Sequence, residues 1–208
     1  MKRVEITLRM IRRIRAVTSP KLSISAKFNS VDAATDKLED VLEQIRALVD
    51  AGIDFLEISG GTYENPLMIG DFDDSKEQTT ESKPKSSTLK RESFFIEFAK
   101  TVRSIFPDLV LMVTGGFRTR NGMESALESG AADLIGIARP AAIYPDLPTK
   151  IILNENVKDE DASVKLAPIE VDGAEKLFVR LSGVKAFGAG KTTRVYQEHI
   201  GNLAAVKA

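Results

Sequence analysis

Two glycine- and arginine-bearing segments, Thr114-Gly115-Gly116-Phe117-Arg118 and Ala138-Arg139-Pro140, are the parts of this sequence best suited to hold a ligand. Adjacent glycines let a backbone approach an anion with no side chain in the way, and a guanidinium can grip phosphate through two parallel hydrogen bonds. A lone Gly-Gly pair equally suits a tight turn, with Arg118 and Arg139 as solvated cations. Two such segments closing a series of strands weigh toward an anion site. A third candidate is Lys27, which shares the polar face of its strand with Ser23 and Ser25, while Glu57 and Ser59 hold matching alternate positions on the next. If those faces point inward, Lys27 and Glu57 can pair across neighbouring strands, and the lysine can stabilise negative charge growing on an electron-rich ring. An outward, solvated stripe fits the same pattern.

Two other signals carry less weight. Gly188-Ala189-Gly190-Lys191-Thr192 looks like the end of a phosphate-binding P-loop, but the required spacing puts glycine where Lys185 stands. His199, the single histidine, lies beside Glu198 in a predicted terminal helix, where a lone exposed imidazole is more often inert than catalytic. With no cysteine, thiolate metal sites, iron–sulfur clusters, disulfides and a cysteine nucleophile are excluded, and no metal site is expected.

These groups need elements to place them. Val4, Ile6, Leu8, Ile11, Ile14 and Val17 approximate helical spacing up to Ser19-Pro20, and Leu22 to Asn29 alternates as a half-buried strand. Asp36 to Ala51 follows the 3.6-residue repeat, with Gly52 placed to end the helix in a left-handed conformation. Asp54 to Ser59 is a short strand, Arg91 to Phe106 a helix, and Leu109 to Thr114 a strand apolar on both faces. A helix from Asn121 through Leu127 ends at Gly130, and Leu134 to Ile137 is a fourth strand. Strands alternating with helices imply a parallel sheet with right-handed crossovers. The loop from Thr62 to Lys90 is polar and expected to run over the surface and move. In the tail, Leu177 to Leu181 reads as a strand and Thr193 to Leu203 as a helix.

The overall balance of 29 basic against 30 acidic residues points to neither nucleic acid nor an acidic membrane surface. No run approaches the roughly 18 apolar residues of a membrane span. Arg3 to Arg15 is basic and amphipathic, a weak likeness to a mitochondrial presequence; a surface helix with an arginine face in a cytoplasmic protein is the favoured reading.

The series AKFNSVD at 26–32, AGIDFLEISGGTYENP at 51–66, RESFF at 91–95, VTGGFRT at 113–119 and LIGIARP at 134–140 resembles the NADH:flavin oxidoreductase/old yellow enzyme family, especially fungal members with lysine in the first motif. The matches run in order over about residues 20–140. The resemblance implies an α/β fold made of the last four βα units of a (β/α)8 TIM barrel, with FMN as cofactor, NAD(P)H as reductant and an activated alkene or similar small molecule as acceptor. It further implies that Lys27 lies beside the flavin pyrimidine ring, Gly115 and Gly116 on the phosphate turn after strand seven, and Ala138 and Arg139 on the turn after strand eight. Ala138 departs from the family's usual glycine. The family's acceptor-binding His/Asn pair and its tyrosine proton donor have no counterpart here, so no catalytic residue is assigned.

Residues 1–150 are accordingly expected to form the C-terminal half of an FMN-binding barrel, and 151–208 a tail. A whole barrel needs about 250 residues, so a four-strand half is expected to self-associate or to pair with a first half. A catalytically inactive fragment or phosphate-ligand binding module is the alternative, and another phosphate-binding barrel enzyme a more remote one.

Overall fold

In the computed structural model, residues 4–29, 38–59, 86–164, 166 and 189–205 are described. The elements are α1 (Glu5–Val17), β1 (Ser25–Asn29), α2 (Leu38–Ala51), β2 (Phe55–Ser59), α3 (Ser86–Ile105), β3 (Val110–Thr114), α4 (Arg120–Glu128), β4 (Leu134–Gly136), a short α5 (Arg139–Ile143), a wide π-helical turn at Pro148–Ile152, and α6 (Ala189–Ala205). The expected alternation of strands and helices is therefore present. Helix α3 begins at Ser86, five residues before the Arg91 start predicted from the apolar spacing, so the end of the polar 62–90 stretch is helical. Most of that stretch, and the strand expected at 177–181, lie outside the described residues. No helix among the described residues is long and apolar enough to cross a membrane.

The chain divides into two compact units, the first drawn from residues 1–60, 84–115 and 125–136, the second from 61–83, 116–124 and 137–208. The first unit contains the sheet. All its strands are parallel and lie side by side in chain order, β1-β2-β3-β4. A parallel sheet wound steadily in one direction carries its crossover helices on one face, which is how a stretch of a (β/α)8 barrel is built. Burial follows that asymmetry. Leu56, Ile58, Leu111 and Val113 on one face are fully buried, as are Val41, Ile45, Ala99 and Val102 of the helices. On the other face Glu57 and Met112 are half-buried, and Val110 and Leu134 are exposed.

Two matching arginine–aspartate clamps hold the sheet in register. Arg15, two residues before the end of α1, donates to the carbonyls of Leu22 and Gly52 and to the carboxylate of Asp54. That carboxylate also accepts the N–H of Ile24, whose carbonyl in turn accepts the N–H of Asp54. Arg103, two residues before the end of α3, repeats the pattern with the carbonyls of Pro107, Leu109 and Gly130 and the carboxylate of Asp133. Asp133 likewise exchanges hydrogen bonds with Leu111. Gly52 and Gly130, at φ +98° and +69°, make the left-handed helix exits that bring each aspartate to its strand. The chain is thus a twofold repeat, α1-β1-α2-β2 matching α3-β3-α4-β4. Between the repeats, the Arg46 guanidinium lies 5.2 Å from the centre of the Phe106 ring.

The second unit is organised by Arg120. Its guanidinium donates to the carbonyls of Ile151, Ile152, Asn154 and Val157 and to Asp159, while its own N–H donates to the Ala162 carbonyl. Thr119 bridges Ser163 as a short antiparallel pair, and Val164 donates to the Arg118 carbonyl. Phe117, Met123, Leu147, Ile152, Ala162 and Val164 are buried in this unit, and α5 packs on α6.

At the carboxyl end of the sheet Thr114 pairs with Gly136. A Cβ at Gly136 would stand 1.9 Å from Thr114 Oγ1, so glycine is required there by contact and not by backbone conformation. Gly136→Ala is expected to cost about 1–3 kcal/mol through overpacking. The loss should shrink in a Thr114→Ala background, and equal losses in both backgrounds, measured by thermal melts, would show that this contact is not the cause.

The clamps yield a second expectation. The Ile24 N–H and then the Arg15 guanidinium hold the Asp54 carboxyl below its usual range. At Asp133 burial pushes upward, but the Leu111 N–H and Arg103 prevail and the net shift is also downward. A carboxyl with a depressed folded pKa stabilises above its unfolded pKa of about 3.9 and loses that contribution as pH falls through the folded value. Asp54→Asn and Asp133→Asn should each cost about 1–2 kcal/mol at pH 7, a figure discounted for partial exposure. Urea titrations should show the gap to wild type closing below about pH 4; a gap unchanged at pH 3 would rule out the ionic origin.

Candidate functional site

In a parallel sheet every strand ends on the same edge, and the loops that follow are where ligands are held. The register places Lys27 beside Glu57 and Thr114 beside Gly136. Because residues paired across parallel strands point the same way, the less covered face near this edge carries Lys27 and Asn29, Glu57 and Ser59, Met112 and Thr114, and finally Gly136.

Lys27 and Glu57 are brought together as the sequence pattern anticipated, with Nζ 2.5 Å from Oε1. The lysine side chain is 60% exposed and the glutamate 17%, so the carboxylate is the anchored partner and the ammonium the accessible one. Ser59 donates its hydroxyl to the Phe28 carbonyl at 3.4 Å. Thr114 is only 7% exposed, and its hydroxyl has no hydrogen-bond partner. A buried hydroxyl left unpaired costs of the order of 1–3 kcal/mol, which makes this the one polar group of the row still wanting a contact among the described residues.

The remaining predicted residues divide between the units. Gly115 is buried, directly after β3 in the first unit. In the second unit Gly116 is half-buried at φ +67°, a conformation that favours glycine. Ala138 precedes α5 at φ −105°, within the range any L-residue adopts, so the alanine in place of the family's glycine introduces no left-handed strain. Arg139 is the first residue of α5, half-buried and engaged by a neighbour. Among the described residues, neither Gly116 nor Ala138 donates its N–H to a backbone carbonyl. Arg118, weighed as a phosphate ligand or a solvated cation, is half-buried, and its carbonyl is used by Val164.

Three features escaped the sequence reading. Arg120 stands beside the conspicuous Arg118, and only the fold shows the carbonyls around it. Thr114 was read as part of a glycine-rich turn and not as a buried hydroxyl. The clamp aspartates did have a signal: Gly52-Ile53-Asp54 and Gly130-Ala131-Ala132-Asp133 each follow a helix and open a strand, with an arginine late in the helix before. Of the discounted stretch, Gly190 and Lys191 lie in the first turn of α6, Gly188 lies outside the described residues, and His199 is half-buried later in that helix.

No family model matches the chain. Its sequence is 37% identical over 195 residues to the NADH-dependent flavin oxidoreductase iliE of Hypocrea jecorina, covering 89% of this chain and 46% of that protein. It is 39% identical over 171 residues to iliE of Neonectria sp., covering 79% and 22%. It is 31% identical over 205 residues to the NADH-dependent flavin oxidoreductase iccE of Talaromyces variabilis, covering 97% and 47%. The chain therefore spans less than half the length of each of these relatives. Over the stretch it shares with them, the chain is similar to NADH-dependent flavin oxidoreductases.

Proposed function

We propose that this chain contributes the phosphate-holding part of an FMN site in a flavin oxidoreductase that passes hydride from NAD(P)H to an activated alkene or similar small-molecule acceptor. Residues 1–150 would form the carboxyl-terminal half of the barrel. The observation that carries the reading is the parallel, side-by-side ending of β3 and β4, one followed by Gly115-Gly116 and the other by Ala138-Arg139, in a chain related over most of its length to proteins named for this chemistry.

The donor set suits a phosphate dianion: backbone amides at Gly115, Gly116 and Ala138 would supply directed hydrogen bonds, and Arg139 would neutralise charge. Lys27, steadied by Glu57, would present its ammonium to the electron-rich edge of the ring system and stabilise negative charge developing there. A flavin held by these residues would supply the hydride-accepting and hydride-donating chemistry. The acceptor and its proton donor require groups beyond those assigned here, so turnover calls for a further part of the enzyme.

Purified chain should retain FMN, or take it up when added, with a flavin absorbance spectrum. Arg139→Ala should weaken FMN binding roughly tenfold or more, as expected for loss of a charge-assisted contact. Lys27→Met should leave binding closer to wild type while making the bound flavin harder to reduce. Chain that stays colourless with FMN in excess, or unchanged retention in Arg139→Ala, would remove the flavin reading or the arginine's role in it.

A further inference from the structure

Arg120 stands soon after Gly116 in the chain, where a phosphate ligand would be sought, yet none of its guanidinium is left for one. A guanidinium has five N–H groups, and all five are spent within the second unit. Nε donates to the Ile152 carbonyl at 2.6 Å, one terminal nitrogen to Val157 and Asp159 at 2.7 Å each, and the other to Ile151 at 2.9 Å and Asn154 at 2.8 Å. The side chain is 12% exposed. A cation so placed acts through what it holds. On one side, every residue from Phe117 to Arg120 is fixed. Phe117 is buried, and Arg118 gives its carbonyl to the Val164 N–H at 2.9 Å. Thr119 bridges Ser163 and accepts the Gly122 N–H on its hydroxyl at 3.1 Å, and the Arg120 N–H reaches the Ala162 carbonyl at 2.9 Å. On the other side, the guanidinium gathers the chain from Ile151 to Asp159, which then runs into the buried Ala162 and Val164.

We infer that Arg120 is a positioning residue for the phosphate turn, with residues 151–164 as the backing against which that turn is set. The inference rests on the flavin reading above and adds to it a part of the chain that the sequence presents only as a tail. A backbone amide serves an anion well when its direction is held before the anion arrives, because otherwise binding must also order it. Gly116, at φ +67°, is joined directly to the fixed stretch, so whatever holds Phe117 to Arg120 also limits the freedom of Gly116. A lysine at position 120 would keep the charge but carries its three donors on one atom. Those are too few and too close together for acceptors spread from Ile151 to Asp159. The backing would loosen and the turn with it, while the sheet has its own clamps at Arg15 and Arg103.

Riboflavin, which is FMN without its phosphate, separates this role from a general effect on the fold. In purified chain, Arg120→Lys should lower the ratio of FMN to riboflavin affinity roughly tenfold, the scale of one charge-assisted contact, with riboflavin affinity near wild type. Arg103→Lys, which weakens a clamp of the sheet, should lower thermal stability and leave that ratio unchanged. Wild type gives a second readout that decides the matter even where Arg120→Lys does not fold. By reciprocal coupling, FMN should slow amide hydrogen exchange at Arg120 and Val164, whose N–H groups make the backbone bonds to the backing, and riboflavin should not. An unchanged ratio in folded Arg120→Lys, a ratio lowered equally by Arg103→Lys, or exchange slowed equally by both flavins would overturn the role of Arg120 and leave the flavin reading standing. Wild type that binds neither flavin would remove that reading and this inference with it.

Discussion

The register of a parallel sheet is the constraint on which the rest of this molecule rests, and here it is enforced by an arginine–aspartate clamp used twice. Each clamp joins the end of one helix, the start of the following strand and the start of the next strand through a single carboxylate. A slip of one residue would turn the polar row of a strand from one face to the other. Fixing the amino-terminal ends of β1/β2 and β3/β4 therefore also fixes what stands at their carboxyl ends: Lys27 against Glu57, and Thr114 against Gly136.

The two repeats use the same frame for different purposes at that far end. In the first, the paired positions hold an ammonium and a carboxylate. In the second, they hold a buried hydroxyl and a glycine with no room for a methyl group. The frame is therefore conservative where it sets register and divergent at the carboxyl end of the strands. This division is typical of βα architectures, in which stability resides at one end of the strands and function at the other. In the second unit Arg120 does for an irregular segment what the clamps do for the sheet. It gathers four carbonyls and a carboxylate, and so defines the path of the chain after α5.

Kinship to flavin oxidoreductases and the open architecture of the sheet lead to one physical picture. A singly wound set of four strands covers one face with its own helices and leaves both edges in need of neighbours. Met10 of α1 is exposed, while Phe98, at the matching place in α3, is buried.

Much of this was determined by sequence alone. Apolar spacing located the four strands and the helices around them to within a few residues, because a 3.6-residue or two-residue period is a local property that burial on one face imposes. The motifs at 113–119 and 134–140 carried the family, and the alternation of Lys27 with Ser25, and Glu57 with Ser59, announced a shared polar face. The early start of α3 was missed because its first turn is built from Ser86, Ser87 and Thr88, which contribute no apolar period. The short helix and π-helical turn after β4 gave no periodic signal at all. Only the tertiary structure decided which arginine meets which aspartate, that Thr114 lies buried against Gly136, and that Arg120 and not Arg118 is the structural hub. Those facts depend on residues brought together across some 20 to 40 positions by the crossovers. A local pattern can show that a charge or hydroxyl is present, but its partner is chosen by the path of the chain through space.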